Sequence, residues 1–286
     1  MMFIVDGTGS DNDEEYRADM ACGFCKQLEK LCSGVYWRGP SLLGLQTAEI
    51  ADSVVASTLA WKMEHKQEKL FLAGHSRGGA AVIFAAQALR KISVRIDAMF
   101  LYDAVDRTMN PFRNADTIPD NVQWCFHAMR ERSLMTYYSA GVDVARDDVA
   151  RLMGYPTGRR TSTLESIIDA VIASPPKAEP AATVCKRAAA LMLEDSKMKL
   201  VMRTAPMRVG SNLSFDFGNC GTRGAREDRL VKKTFLGSHG AIGGAPITDS
   251  RAPKAMIDAD RAAKASVNAW MGGFLVQQKA YAYNAV

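Results

Sequence analysis

The chain has 286 residues, 48% apolar and 23% charged. This ordinary globular balance excludes disordered and fibrous proteins and fits one large α/β domain with an insertion, or about two average domains. With 36 basic against 31 acidic residues the net charge is +5, too thinly spread to argue for nucleic acid but compatible with weak attraction to an anionic membrane surface. No apolar run reaches the ~18 residues that span a bilayer. Residues 1–6 meet an acid early and carry no basic flank, so a protein without signal peptide is expected, either resident in the cytoplasm or exported by a dedicated secretion system.

Residues 3–5 form a short apolar run that ends in Asp6-Gly7-Thr8-Gly9-Ser10, a strand feeding a glycine-rich turn. A helix is predicted over 16–31, a short strand over 35–37 and a second helix over 47–66, where Ile50, Val54, Val55, Leu59 and Met63 recur at helical spacing. Strands follow at 69–73, 94–102 and 122–126, with a helix of small residues over 79–89. Alternation of this kind predicts a parallel sheet wrapped by helices. Residues 142–207 read as mainly helical and residues 209–217 as a hairpin arm. The sheet pattern resumes at 231–236, and a last helix over 259–280 gathers Val267, Trp270, Met271, Phe274 and Leu275 on one face. The expected organisation is a core of 1–140 and 227–286 with a helical insertion, or cap, over 141–226.

The six cysteines (Cys22, Cys25, Cys32, Cys125, Cys185 and Cys220) are not a disulfide framework in a chain this long. Cys22 and Cys25 have CxxC spacing, but they follow a helical stretch rather than a strand, so core or surface thiols are the better reading. A zinc site needs a second pair that Cys32 alone does not supply.

The sharpest signal is Gly74-His75-Ser76-Arg77-Gly78, a G-x-S-x-G run with a strand before it and a helix after it. The tight turn leaves no room for side chains two residues either side of Ser76. It also lifts the Ser76 hydroxyl above the sheet, where the positive helix start faces developing negative charge. Serine needs a base, and the chain has four histidines. His75 lies inside the elbow, and His65 sits on a charged helix face. His239 follows the last strand in a glycine-rich loop and is the chosen base, with His127 the fallback as a core histidine. The orienting acid is Asp103, at the end of the strand after the nucleophile helix, with Asp106 the competing candidate. The order Ser76, Asp103, His239 is that of the α/β-hydrolases. The oxyanion donors expected are the N–H of Arg77 and one from the first turn, Gly7 or Thr8. No cofactor and no metal are required.

These pieces together resemble a family of α/β-hydrolases long labelled as a domain of unknown function, which includes phospholipase effectors of bacterial type VI secretion. Its "F-x-D-G-T" turn is matched by Ile4-Val5-Asp6-Gly7-Thr8 and its G-x-S-R-G elbow by residues 74–78. Its "W-D-T-V" strand end is similar to Tyr102-Asp103-Ala104-Val105. Its "H-A-x-x-x-x-E-R" segment is similar to residues 127–132, with different spacing. A histidine segment is matched by residues 235–244 and a closing "A-W-M" by Ala269-Trp270-Met271. The resemblance implies Ser76, Asp103 and His239 as a triad. The chain departs from the family at Gly240, where an acidic or polar residue is usual, and residues 141–226 carry no family motif. The function expected is hydrolysis of a carboxylic ester, a small-molecule or lipid substrate in the manner of a serine esterase, lipase or phospholipase. The alternative from another class is a catalytically inactive binding protein of the same fold.

Overall fold

The computed structural model describes residues 1–41, 46–106, 114–130, 219–246 and 254–281. Strand β1 (Met2–Val5) is followed by helices α1 (Asp13–Met20) and α2 (Phe24–Cys32), strand β2 (Val35–Trp37) and helix α3 (Thr47–Glu64). Strand β3 (Phe71–His75), helix α4 (Arg77–Lys91) and strand β4 (Ala98–Tyr102) come next. The two-residue strand β5 (Thr117–Ile118), strand β6 (Cys125–Arg130) and the short β7 (Arg223–Gly224) precede β8 (Leu230–Phe235). A short helix α5 (His239–Ile242) and the long α6 (Lys254–Gln278) close the chain. Six strands form one sheet in the order β2-β1-β3-β4-β6-β8, and every pairing in it is parallel.

The helices cover both faces, as a parallel sheet requires. Alternate residues of β1 divide between two cores. Phe3 and Val5 pack with Val54 of α3 and with Ala80, Val82 and Ile83 around α4. Met2 and Ile4 pack with Phe24 and Leu28 of α2 and with Val267, Met271 and Leu275 of α6, spaced four apart along one helical face. On that second face Phe71, Phe100, Phe126 and Phe274 stack in succession, with centroid separations of 6.4, 5.5 and 4.1 Å. The parallel sheet wrapped by helices that the alternation predicts is what the chain forms.

Two boundaries differ from expectation in ways that matter. The single helix expected over 16–31 is broken into α1 and α2. Gly23 is extended there (φ −70°, ψ 153°), and Phe24 N–H donates to Gly243 O at 2.8 Å, so a tertiary contact ends the first helix. Strand β6 continues to Arg130 because β8 pairs along its whole length, with Arg130 opposite Phe235. Of the residues assigned to an insertion, 219–226 run back along the core: Cys220 N–H donates to Ala104 O at 3.0 Å, and β7 pairs with β5. The helical reading of 142–207, the arm at 209–217 and Cys185 lie outside the described residues. Among the described residues, no helix is long and apolar enough to cross a membrane.

β1 and β3 are neighbours, and the chain winds outward from them in opposite directions. The crevice at their carboxyl ends is therefore the switch point where such sheets bind ligands. Phe100 is fully buried at the centre of the aromatic stack. Phe100→Ala is expected to cost about 3–5 kcal/mol of unfolding free energy in urea titration. Met63→Ala, at a position 77% exposed, should stay within about 0.5 kcal/mol; equal effects at the two positions would contradict the core assignment.

Candidate active site

Parallel strands end on the same edge, so β1, β3, β4, β6 and β8 each deliver a residue to one rim. The elbow after β3 sets the first position. Ser76 has φ 55° and ψ −128°, a region that costs a non-glycine residue ~1–3 kcal/mol and persists only when its surroundings fix it. Three backbone bonds do so here: Ser76 N–H to Tyr102 O at 3.1 Å, and Gly79 N–H and Val105 N–H to Ser76 O at 3.0 Å each. The two glycines of the elbow are required by close approach. A Cβ on Gly74 would lie 2.6 Å from Gly78 O, and one on Gly78 only 2.2 Å from Asp6 O.

His239 reaches the serine from the loop after β8. Its Nε2 lies 2.8 Å from Ser76 Oγ and its Nδ1 2.6 Å from Asp103 Oδ2. An ionised carboxylate can only accept, so Nδ1 carries the ring proton and Nε2 of the neutral ring accepts from the serine hydroxyl. The loop is held by Asp260 of α6, a buried acid whose two oxygens accept from Ser238 N–H at 2.7 Å and Ser238 Oγ–H at 2.6 Å. Ser238 Oγ in turn accepts from Ala241 N–H at 2.9 Å, capping α5.

Asp103 is wholly buried and has both oxygens engaged. Oδ1 accepts from Arg130 N–H at 3.0 Å and Asn219 Nδ2 at 2.6 Å. Oδ2 accepts from His239 and from the Arg130 guanidinium. Burial pushes the Asp103 carboxyl up, but the Arg130 charge and the His239 hydrogen bond outweigh it and hold the group far below the usual carboxylate range. His239 is lowered from 6.5 to about 4, first by burial and then by the His75 and Arg130 charges, against the opposing pull of Asp103.

The remaining candidates sort by their partners. His127 is a satisfied core histidine: Nε2 accepts from Ala104 N–H at 3.1 Å and Nδ1 faces Gly221 O at 3.3 Å. Asp106 Oδ2 accepts from Ala115 N–H at 3.2 Å, a loop contact. His65 pairs with Glu68 at 2.7 Å on the exposed face. His75, inside the elbow, packs its ring against His239 at a centroid distance of 4.8 Å, with Nδ1 3.6 Å from Asp6 Oδ1. Gly243 makes room for that ring, since a Cβ there would lie 2.3 Å from His75 Nε2.

Of the turn amides expected at the oxyanion position, Gly7 N–H donates to Asp6 Oδ1 at 2.8 Å. The Thr8 side chain meets the Arg77 guanidinium at 3.4 Å beside the elbow, and Arg77 opens α4. Cys25 is buried, donates to Val5 O at 3.6 Å and has its thiol pushed well up by burial and by Asp6, the opposite of a redox-active cysteine. Cys22 is exposed. Among the described residues, no cluster of three or more His, Cys, Asp or Glu side chains is arranged to hold a metal ion. The sequence reading missed Arg130, Asn219 and Asp260 as partners of the site.

No protein-family profile and no curated protein sequence matches the chain. Solved structures similar to it include a four-domain nonribosomal peptide synthetase bound to AMP and glycine, at 14% identity and TM-score 0.33, over 93% of this chain and 19% of that one. A thioesterase of the prodiginine pathway in Streptomyces coelicolor is similar at 14% identity and TM-score 0.32, over 93% and 85% of the two chains. An extracellular α/β-hydrolase from a Paenibacillus species is similar at 13% identity and TM-score 0.28, over 92% and 99%. The chain spans about a fifth of the synthetase, 19% of its length.

Both His127 and His239 are lowered from 6.5 to about 4, burial being the main cause at each. Between those values the unfolded chain binds protons that the folded chain refuses, so this part of the stability is full above pH 6.5 and lost as pH falls toward 4. At pH 5.5 the nitrogen chemical shifts of both rings are expected to be those of neutral imidazole protonated at Nδ1; an imidazolium pattern at either ring would contradict the assigned geometry.

Proposed function

We propose that the chain is a serine hydrolase of carboxylic esters, with lipid acyl esters as the first substrate class to test. The observation that carries this reading is the unbroken hydrogen-bonded line from Ser76 Oγ through His239 to the buried Asp103, set on a strained elbow at the switch point of the sheet. Thioesters share the same acyl chemistry.

Ser76 Oγ attacks the carbonyl carbon while its proton passes to His239 Nε2. The imidazolium so formed is stabilised by Asp103, which stays ionised. The oxyanion is met by the N–H of Arg77 at the start of α4 and by the β1 turn. With Gly7 N–H committed to Asp6, Thr8 is the turn residue left for that role. As the tetrahedral species collapses, the carbon–oxygen bond to the leaving alcohol breaks and the alcohol takes the proton from His239. Water then attacks the acyl-enzyme, gives its proton to His239, and the carboxylic acid departs as Ser76 is regenerated. A binding protein that had lost turnover would be expected to show a blocked elbow or a His239 remote from Ser76; the 2.8 Å contact favours catalysis.

A fluorophosphonate probe should label the wild type and neither Ser76→Ala nor His239→Ala. Turnover of an activated ester by Ser76→Ala should fall roughly 10³-fold or more. Equal labelling of Ser76→Ala, or a folded wild type that does not react, would overturn the hydrolase reading in favour of the binding protein.

A further inference from the structure

The reaction as described needs Asp103 and His239, but the geometry commits a third ionic group to the same pair. Arg130 ends β6 and is itself buried, at 5% exposure. Its main-chain N–H donates to one oxygen of Asp103 and its guanidinium to the other. Guanidinium Nη1 also stands 3.1 Å from His239 Nδ1. Both of those nitrogens are donors, so they share the Asp103 Oδ2 acceptor rather than bonding each other.

We propose that Arg130 is a positioning residue of this site: it fixes the Asp103 carboxylate toward His239 and, through its charge, sets the range of acidity over which Ser76 works. This rests on the reading of Ser76 and His239 as nucleophile and base. The sheet register explains the placement. Tyr102 pairs with Ala128 and Arg130 with Phe235, so the guanidinium enters between the strand end that carries Asp103 and the loop that carries His239.

Two consequences follow from charge alone. A cation against Asp103 keeps the acid ionised in a site that burial would otherwise neutralise. The same cation beside the imidazole edge adds to burial, the main cause, in opposing its protonation, so the base stays available in mildly acidic solution. The other charged and titratable groups facing His239 among the described residues are Asp103 from β4, which favours protonation, and His75 from β3, which opposes it, with Asp6 behind His75 at 3.6 Å. Asp260 of α6 meets the loop at Ser238, one residue away. Removing Arg130 leaves Asp103 as the dominant charge on the ring.

The test is the rate of fluorophosphonate labelling as a function of pH for wild type, Arg130→Gln and Arg130→Lys, with folded protein checked by circular dichroism at each pH. Glutamine keeps a donor for Asp103 and loses the charge; lysine keeps the charge and loses the planar fork. The wild-type acid limb is expected well below the ordinary histidine value of 6.5. Arg130→Gln should move it upward, and Arg130→Lys should hold it near the wild type at a lower maximal rate. A purely structural role would lower the amount of folded, reactive protein without moving the midpoint. An unmoved midpoint in Arg130→Gln overturns the proposal. If Arg130→Gln does not fold, Arg130→Lys decides: a midpoint that rises in this charge-keeping variant overturns the proposal. A folded wild type that is never labelled, or a Ser76→Ala protein labelled equally, refutes instead the reading of Ser76 on which the proposal rests.

Discussion

A carboxylate with no access to water sits at the centre of this rim. An isolated carboxylate in such a place is costly by several kcal/mol or more unless its oxygens are paired. Asp103 meets that demand with four donors drawn from three parts of the chain: Arg130 N–H, the Arg130 guanidinium, Asn219 and His239. The charge therefore gathers Arg130 of β6, Asn219 and the His239 loop around one carboxylate.

The serine is governed by a second constraint, one of space. Between β1 and α4 there is no room for a Cβ at Gly78, and the backbone of Ser76 is held in a strained conformation by bonds to the end of β4, to Val105 just after it and to Gly79 in α4. Strain of this kind is stable only in a rigid frame, which the two buried cores on either face of the sheet supply. The imidazole connects the two constraints. Its Nδ1 is fixed by the charge, its Nε2 is presented to the strained hydroxyl, and its face rests on His75.

Much of this was legible in the sequence, for reasons that can be named. The elbow is a local steric requirement and leaves glycines at fixed offsets, and with four histidines to choose from, the position of His239 after the last strand separated it from the rest. Asp103 was visible as a strand end. Arg130 was not, because the apolar pattern of its strand fades after Phe126 while pairing with β8 carries the strand on to Arg130. Asn219 and Asp260 act across 116 and 22 residues of sequence, distances at which no periodicity or spacing speaks. The break at Gly23 was hidden for the same reason, since Gly243 causes it from the far end of the chain. Gly7 or Thr8 was expected to supply an amide to the crevice, and the acid beside Gly7 accepts that residue's amide, a competition the turn motif does not display.

The central claim is that the buried Asp103 charge organises a working serine, and the most direct measurement is the acylation rate of Asp103→Asn. An asparagine preserves the shape but loses the charge, and its amide can present a donor to Nδ1 and so favour the wrong imidazole tautomer. With the protein still folded by circular dichroism, the burst of product from an activated ester should slow by about 10³- to 10⁴-fold, while Asp106→Asn, at a half-buried loop contact, leaves it unchanged within a factor of about two. Acylation of Asp103→Asn at the wild-type rate would contradict the account.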